Sequence, residues 1–392
     1  MRRERILSLD IFRGLTIFLM VFVNDLAGVS NVPAWMKHVP VGLNGMTFVD
    51  VVFPAFLFIV GMAIPFATEN RLNKNDSLLA FWQHVGMRTF GLLVIGVFMV
   101  NSAEMNSEAS MIPKHLWATL FYVAAILIWN RYPKTEDRRR QQFFWGLRIV
   151  GIVVLLILPF LFKKGEPGAL TGMTPSWWGI LGLIGWAYFY AMILYMALQR
   201  KLIWIVPAFF ALLLLLLSIR SGAVNYPNWL VGQGGNFAHT LLTLAGIVCA
   251  LILKQDGFKA NPKLKIRYML LAAVVLSIIG YFCMPFGHIN KNAASPSWAL
   301  FCSAICFVVF PLIYWLTDVK GIKNWANFLK PAGQNPLLTY ILPAIFFHIG
   351  GYYLIPDFLG TGVLGFVRSV IFALFILWVA KWLTRQGVRM QL

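Results

Sequence analysis

Long apolar runs recur along the whole sequence, and they constrain the fold more than any other feature. Of the 392 residues, 59% are hydrophobic and 12% are charged, whereas about a quarter are charged in soluble domains. A helix needs about 20 apolar residues to cross a bilayer core. About twelve runs are long enough, with centres near residues 19, 57, 92, 122, 152, 187, 211, 245, 275, 307, 345 and 372. The sequence therefore predicts an all-α polytopic transmembrane bundle of about twelve spans, forming one domain over residues 1–392.

The lysine and arginine residues lie mostly on one side of these predicted spans. With the amino terminus placed in the cytoplasm, 23 of the 33 cations fall in inner loops and six in outer loops. Inner loops of membrane proteins carry such an excess, so the pattern predicts an even number of spans and two cytoplasmic termini. The net charge of +19 would also suit a nucleic-acid binder, but such a protein gathers its cations on a soluble face. We therefore expect no nucleic-acid partner.

Polar residues interrupt the first two spans and the loop that joins them. Asp10, Arg13 and Asn24 lie in or near the first span, Asp50 lies in the second, and His38 lies between them. A polar group in hydrocarbon is costly unless it is paired or faces a wet cavity. In the predicted orientation Asn24, His38 and Asp50 all lie at the outer face. The grouping predicts a functional site there.

Several ordered motifs near the two ends of the chain resemble those of a known family. They are S-x-D-x-F-R-G (Ser8–Gly14), M-V-F-V-N (Met20–Asn24), a histidine fourteen residues on, N-G-x-T-x-x-D-x-V-F-P-x-F-x-F-I-x-G (Asn44–Gly61), I-N-K-N (Ile289–Asn292), D-V-K-G (Asp318–Gly321) and a turn near Gly333–Pro336. In these motifs the sequence resembles the heparan-α-glucosaminide N-acetyltransferase family of multi-spanning membrane acyltransferases.

The resemblance implies an enzyme that moves an acetyl or similar acyl group from cytosolic acetyl-CoA to an amine or hydroxyl of an extracytoplasmic sugar or glycan. It ties Asn24 and His38 to catalysis by motif position. A chain of this kind is expected among the lipids of a bacterial inner membrane, and the sequence is compatible with a homo-oligomer. The alternative is a transporter, or a lipid- or glycan-handling protein, in which the same polar residues line a path without covalent chemistry.

His38, Asn24 and Asp50 are the candidate catalytic residues. An imidazole can take a proton from an acceptor or itself attack a thioester. A carboxylate such as Asp50 can hold the tautomer of that imidazole, and an amide such as Asn24 can donate to an oxyanion. The alternative interpretation is a solvated loop histidine beside two helix-end residues that satisfy backbone groups.

Two further sets of residues are candidates for binding. Arg13, Arg88 and Arg148 lie a turn or two inside the cytoplasmic ends of their spans, where they could pair with the phosphates of coenzyme A or extend to the interface. The residues after the ninth span form a polar group on the outer side, either a substrate contact or a turn: His288, Asn290, Lys291 and Asn292.

The remaining histidines and the cysteines are interpreted as structural. The histidines are His84, His115, His239 and His348, and the cysteines are Cys249, Cys283, Cys302 and Cys306. Cys302 and Cys306 share a helix face, but no histidine or acid lies near them on that face. We therefore expect small packing residues and no metal site.

Overall fold

The computed structural model describes residues 6–40, 42–74, 76–254 and 261–392, which are largely helical. The α-helices within these ranges, in chain order, are α1 (Leu7–Leu26), α2 (Val49–Leu72), α3 (Leu78–Glu104), α4 (Lys114–Trp129), α5 (Arg138–Ile157), α6 (Ile180–Ala197), α7 (Leu202–Ser221), α8 (Asn228–Val231), α9 (Gly234–Lys254), α10 (Pro262–Phe282), α11 (Pro296–Tyr314), α12 (Lys330–Gln334), α13 (Pro336–His348) and α14 (Gly362–Arg385).

The apolar helices lie where the sequence predicts them, and the all-α polytopic bundle is confirmed. In the described part of the chain, ten helices are long and apolar enough to cross a membrane, and α4 and α13 are shorter apolar helices of 16 and 13 residues. The region 177–219 divides into α6 and α7. Gln199 and Arg200 make the sharp turn between them with left-handed backbone, at φ 55° and 61°. The chain is thus an integral membrane protein.

The centre of the bundle is formed by α2 and α9, which pack closely. In the most apolar 18-residue stretch of each helix, 72% of the residues of α2 and 78% of those of α9 are buried. The corresponding share is 11% in the helical segment Arg138–Leu161, which contains α5. A Cβ added at Gly61 would lie 1.9 Å from the carbonyl oxygen of Thr243, and one added at Gly246 would lie 1.9 Å from that of Phe58. Small residues allow such backbone approach between membrane helices. The second motif-bearing helix is therefore anchored in the core.

The bundle has two ends, which we name from their polar residues. The histidine end is where α1 ends and α2 begins, and the arginine end is where α1 begins. At the arginine end Asp318 accepts hydrogen bonds from the backbone nitrogens of Leu7 (3.1 Å) and Ser8 (2.9 Å). Asn335 accepts one there from the nitrogen of Met390 (3.2 Å). Both ends of the described chain therefore lie at the arginine end, as an even number of crossings requires.

The side of the membrane that the arginine end faces stays a prediction. Four of the cations that contribute to it lie outside the described residues: Arg2, Arg3, Arg5 and Lys259.

Candidate active site

The loop between α1 and α2 is folded back onto the end of α1 by a lysine. The Nζ atom of Lys37 donates to the carbonyl oxygens of Leu26 (3.0 Å), Ala27 (2.7 Å) and Val29 (2.5 Å). The last carbonyls of a helix lack partners within the helix and carry partial negative charge, so an ammonium group is favourable there. This contact holds His38, the next residue, beside the last turn of α1.

Asp50 lies in the first turn of α2 with its side chain only 2% exposed. Its Oδ2 accepts hydrogen bonds from the backbone nitrogens of Thr47 (3.0 Å) and Val39 (3.3 Å), and its Oδ1 lies 2.7 Å from Nδ1 of His38. A carboxylate only accepts, so Nδ1 carries the proton and Nε2 carries the lone pair. The imidazole itself is 39% exposed. A buried acid thus orients a histidine that substrates can reach.

A lysine from a distant loop completes this group. The Nζ atom of Lys291 lies 3.2 Å from Nδ1 and 3.3 Å from Nε2 of His38, and 3.9 Å from Oδ1 of Asp50. Burial lowers the pKa of Lys291, and the negative charge of Asp50 opposes that shift. We call these three residues the His38 cluster.

Hydrogen bonds tie the loop of Lys291 to the loop between α1 and α2. The nitrogen of Ile289 donates to Oδ1 of Asn44 (2.9 Å), and its carbonyl accepts from the nitrogen of Gly45 (2.9 Å). The side-chain amide of Asn290 donates to the carbonyl of Leu43 at 3.5 Å. Two motifs that are 245 residues apart are therefore directly bonded.

The other residues predicted at this end are placed less directly. Asn24 lies in the last turn of α1 with an exposed side chain, and His288 is exposed with a left-handed backbone at φ 55°. Oδ1 of Asn290 closes its own turn, whereas Asn292 lines a cleft together with Lys291. Within the described residues, Asn24, His288, Asn290 and Asn292 make no hydrogen bond to the His38 cluster. Their roles stay predictions.

A buried ion pair, which the sequence did not predict, fixes the end of α1. Asp25, adjacent to Asn24, accepts hydrogen bonds from Nη2 of Arg368 (2.9 Å) and Oγ of Ser369 (2.6 Å) on α14. The side chain of Asp25 is 3% exposed. The charge of Arg368 near a span end was the available signal, but its partner lies 343 residues away in the sequence.

Sequence reasoning also missed two residues that position the His38 cluster. Thr47 donates from its hydroxyl to the carbonyl of Lys37 (2.7 Å) and from its nitrogen to Asp50. A threonine three residues before an acid at a helix start is the spacing of a capping box. That spacing, with a lysine next to the candidate histidine, could have identified both Thr47 and Lys37.

The three deep arginines each contact a different side chain in the described part of the chain. Nη1 of Arg13 lies 3.5 Å from the carboxylate of the aspartate at position 10. The guanidinium of Arg88 lies 4.7 Å from the ring centre of Tyr188, and that of Arg148 lies 5.2 Å from the ring centre of Tyr132. The three arginines lie on α1, α3 and α5, each with a separate neighbour, and coenzyme A binding stays a prediction for each.

The cysteines are buried packing residues, and one of them lies close to Asp50. All four cysteines are buried, and Sγ of Cys302 lies 4.0 Å from the carbonyl oxygen of Asp50. No group of three histidine, cysteine, aspartate or glutamate side chains that could hold a metal ion occurs within residues 6–40, 42–74, 76–254 and 261–392.

Comparison with known proteins relates most of the chain to two acetyltransferases. A family model described as a domain of unknown function, DUF5009, matches residues 5–234. Heparan-alpha-glucosaminide N-acetyltransferase from Homo sapiens is 28% identical over 377 residues, and that from Mus musculus is 25% identical over 377 residues. The alignments cover 87% and 86% of this chain and 53% of each relative. The chain thus spans about half the length of these relatives.

Proposed function

The chain belongs to the DUF5009 family of domains of unknown function, and we propose that it is a membrane-embedded acyltransferase. It moves an acetyl group from acetyl-CoA to an amine or hydroxyl of a sugar or glycan across the membrane. The observation that carries the proposal is the His38 cluster, in which an accessible imidazole is held by a buried carboxylate at 2.7 Å. Similarity to two N-acetyltransferases supports the reaction class.

His38 acts through Nε2, because Nδ1 is engaged by Asp50. As the acceptor nitrogen or oxygen attacks the thioester carbonyl, its proton moves to Nε2, and the Asp50 carboxylate stabilises the imidazolium. A C–N or C–O bond forms, the C–S bond breaks, and the imidazolium returns the proton to the departing thiolate. If Nε2 itself attacks the thioester, an Nε2–C bond forms as the C–S bond breaks; the acceptor then displaces the imidazole, and its proton neutralises the released thiolate.

Two donors at the histidine end suit the oxyanion of this reaction. The ammonium of Lys291 lies 3.3 Å from Nε2 of His38, close to where the negative charge develops. Asn24 presents an exposed amide in the last turn of α1. Because preorganised donors act strongly on a developing oxyanion, we expect Asn24→Ala to slow transfer by about 10²–10³-fold.

An apolar groove offers the donor a path between the two ends. It has a volume of about 460 Å³ and is lined by α1, α2, the residues just before α2, and α11. It extends from Phe12, next to Arg13, to Thr47, which donates to Asp50. A pantetheine arm in this groove would carry the thioester toward the His38 cluster while its phosphates stay near the arginine end. The proposed phosphate contacts there are Arg13, Arg88 and Arg148.

The remaining assignments concern the acceptor and the membrane. We propose that the loop after α10 contacts the sugar, and that the arginine end faces the cytoplasm of a bacterial inner membrane, since the predicted inner loops carry most of the cations. The proposed sugar contacts in that loop are His288, Asn290, Lys291 and Asn292.

Transfer by the purified protein tests the proposal. Protein in nanodiscs is incubated with [¹⁴C]acetyl-CoA and glucosamine, and the labelled sugar is separated and counted. We expect label in the sugar, and a rate that is about 10²–10⁴-fold lower in His38→Ala, because a general base is lost. His115→Ala, which removes an exposed histidine on α4, is the matched control and should keep the rate.

The outcome that contradicts the proposal is a folded protein that labels no acceptor. The acceptor panel should contain amino sugars and sugars with hydroxyl groups only, and folding is checked by thermal melting. An acid quench without acceptor separates the two routes, because label on the protein that is absent in His38→Ala indicates an acyl-histidine.

A further inference from the structure

A large cleft adjoins the His38 cluster at the histidine end. It has a volume of about 700 Å³, within the range of small-molecule sites. Trp177 and Trp178, which precede α6, and Trp186 on α6 form an aromatic wall, and α9 supplies His239 to the lining. We call this space the tryptophan cleft. We propose that it is the acceptor subsite, that it binds a pyranose ring, and that His239 donates to or accepts from one ring hydroxyl; this rests on the function proposed above.

His239 points to a polar ligand. The residue is 5% exposed, and its Nδ1 has no hydrogen bond within the described part of the chain. The backbone carbonyl of Gly235, one turn earlier, lies near the ring but not in hydrogen-bond geometry with Nδ1. The ring packs against Phe53 and Trp298, at 5.5 Å and 5.9 Å between centres. A buried polar atom without a partner is unfavourable, so a hydroxyl in the cleft would satisfy it.

The aromatic wall is rigid and suits a sugar. Trp186 stacks on Tyr190 at 5.7 Å and meets Trp177 edge-on at 6.2 Å. The C–H groups on one face of a pyranose carry partial positive charge, and the faces of aromatic rings are negative. A sugar ring can therefore lie flat on this wall, while its hydroxyls point toward the polar side of the cleft.

Hydrogen bonds preorganise the polar side chains of the cleft. Nδ2 of Asn236 donates to Oε1 of Gln233 at 2.7 Å, and the hydroxyl of Tyr190 donates to the same oxygen at 3.2 Å. These bonds orient both amides, and among the described residues no hydrogen bond occupies the Gln233 nitrogen or the Asn236 oxygen, so both are available to a ligand in the cleft. One donor and one acceptor are what adjacent sugar hydroxyls require.

The cleft is joined to the His38 cluster through shared side chains. Lys291 lines the cleft and also contacts both nitrogens of His38. Trp298 lines the floor, and its indole nitrogen donates to the carbonyl of Asp50 at 3.3 Å. A sugar held in the cleft is therefore one side chain away from the proposed base.

The charge of the cleft suits an amine that must react. Arg220 and Lys291 line it, and no aspartate or glutamate does so among the described residues. Neighbouring positive charge disfavours the ammonium form of a bound amine. The cleft therefore favours the neutral amine, which is the form that attacks a thioester.

Sugar binding without the donor tests the site independently of transfer. The melting temperature of the protein in nanodiscs is measured with increasing glucosamine and no acetyl-CoA, since a ligand of the folded state raises it. The variants are Trp178→Ala and His239→Phe, and the control is Trp378→Ala, because Trp178 and Trp378 are both 62% exposed. We expect glucosamine to raise the melting temperature of the wild type, the control and His38→Ala. The two cleft variants should need at least a tenfold higher glucosamine concentration for the same rise.

Substrate discrimination tests the role of His239. With transfer as the readout, the wild type should discriminate strongly against one mono-deoxy glucosamine, because a site built for a hydroxyl rejects the analogue that lacks it. His239→Phe should have a higher acceptor KM and should use that mono-deoxy analogue about as well as glucosamine. It should still transfer the acyl group to the other analogues. A merely structural role would lower all rates in proportion.

The two proposals fail in different ways. Transfer with an unchanged acceptor KM and unchanged discrimination in both cleft variants would overturn the subsite and leave the acyltransferase intact. Glucosamine binding that the cleft variants abolish, without any transfer, would support the subsite and contradict the reaction. Equal stabilisation of the wild type and both cleft variants by glucosamine would overturn the subsite directly.

Discussion

At the histidine end, three polar side chains from separate segments lie within 3.9 Å of one another, whereas at the arginine end three arginines each have their own neighbour. The difference follows from what each group needs. The carboxylate of Asp50 is almost fully buried and must be paired, so His38 and Lys291 gather around it. The guanidinium groups of Arg88 and Arg148 each lie against a different aromatic ring, so these contacts do not bring them together.

The comparison shows which polar residues in membrane spans can be grouped by reasoning from sequence. A short connection restricts where its residues can lie, so the twelve residues from His38 to Asp50 predict a contact. Arginines on helices that are separated in the chain carry no such restriction. Their shared depth predicts a common end of the bundle but no common pocket.

The largest effect should come from the acid of the histidine end. Asp50→Asn removes the carboxylate that fixes the imidazole tautomer, and loss of such an acid slows acyl transfer by about 10⁴-fold. The measurement is the turnover rate with saturating donor and acceptor. Asp318→Asn, which changes the aspartate that binds the start of α1 at the arginine end, should stay within a few-fold. A rate for Asp50→Asn close to that of the wild type would show that the His38–Asp50 pair is structural.

Loss of an arginine should reduce the stability of the protein more at the histidine end than at the arginine end. Arg368→Ala leaves the carboxylate of Asp25 buried without its cation, which costs about 3–5 kcal/mol. Arg148→Ala removes a contact with the Tyr132 ring and should cost about 0.5–1 kcal/mol. Thermal melting in nanodiscs compares them, and the expected order is a much lower melting temperature for Arg368→Ala. Similar melting temperatures would mean that the Asp25 pair does not fix α1 to α14.

The pH dependence of transfer tests the lysine of the His38 cluster. If the charged form of Lys291 stabilises the oxyanion, activity falls as the pH rises through the pKa of Lys291. Because burial lowers this pKa, the fall in activity is centred at a pH below the ordinary lysine value of 10.5. Lys291→Arg should lose this alkaline limb, because a guanidinium stays protonated. Rates are measured from about pH 7 to about pH 11 with one acceptor for both proteins. An unchanged limb in the variant would assign it to another group.

The smallest effect should appear at the arginine end. Among the three arginines, Arg13 is the one that follows a residue of the apolar groove, Phe12, in the sequence. Arg13→Gln should therefore weaken the stabilisation of the protein by coenzyme A by about fivefold to tenfold. Arg139→Gln, which changes an exposed arginine in the first turn of α5, is the control and should leave the stabilisation unchanged. Equal losses from both variants would mean that Arg13 acts only through its general positive charge.

Much of the fold was predictable because the bilayer imposes a length on each span. All twelve predicted centres fall in helices, including 187 and 211, on either side of the turn at Gln199. The pairing of His38 with Asp50 was a prediction from a hairpin of two short-linked spans. The contact of Lys291 with His38 was not predicted, because loop closure over 253 residues leaves the partner undetermined.

By itself, the sequence determined the class of protein, the approximate places of the spans, and the connection between the first two spans at which a histidine and an acid come together. These properties depend on local composition and short connections, where hydrophobic length and chain geometry leave few alternatives.

Only the tertiary structure decided which distant residues meet. Packing of α1 on α14 paired Asp25 with Arg368, and hydrogen bonds between two loops brought Lys291 to His38. The same packing gave His239, interpreted from the sequence as structural, an unsatisfied nitrogen beside a large cleft. Such contacts arise from the sum of many weak packing interactions across the bundle, so no single segment of the sequence contains them.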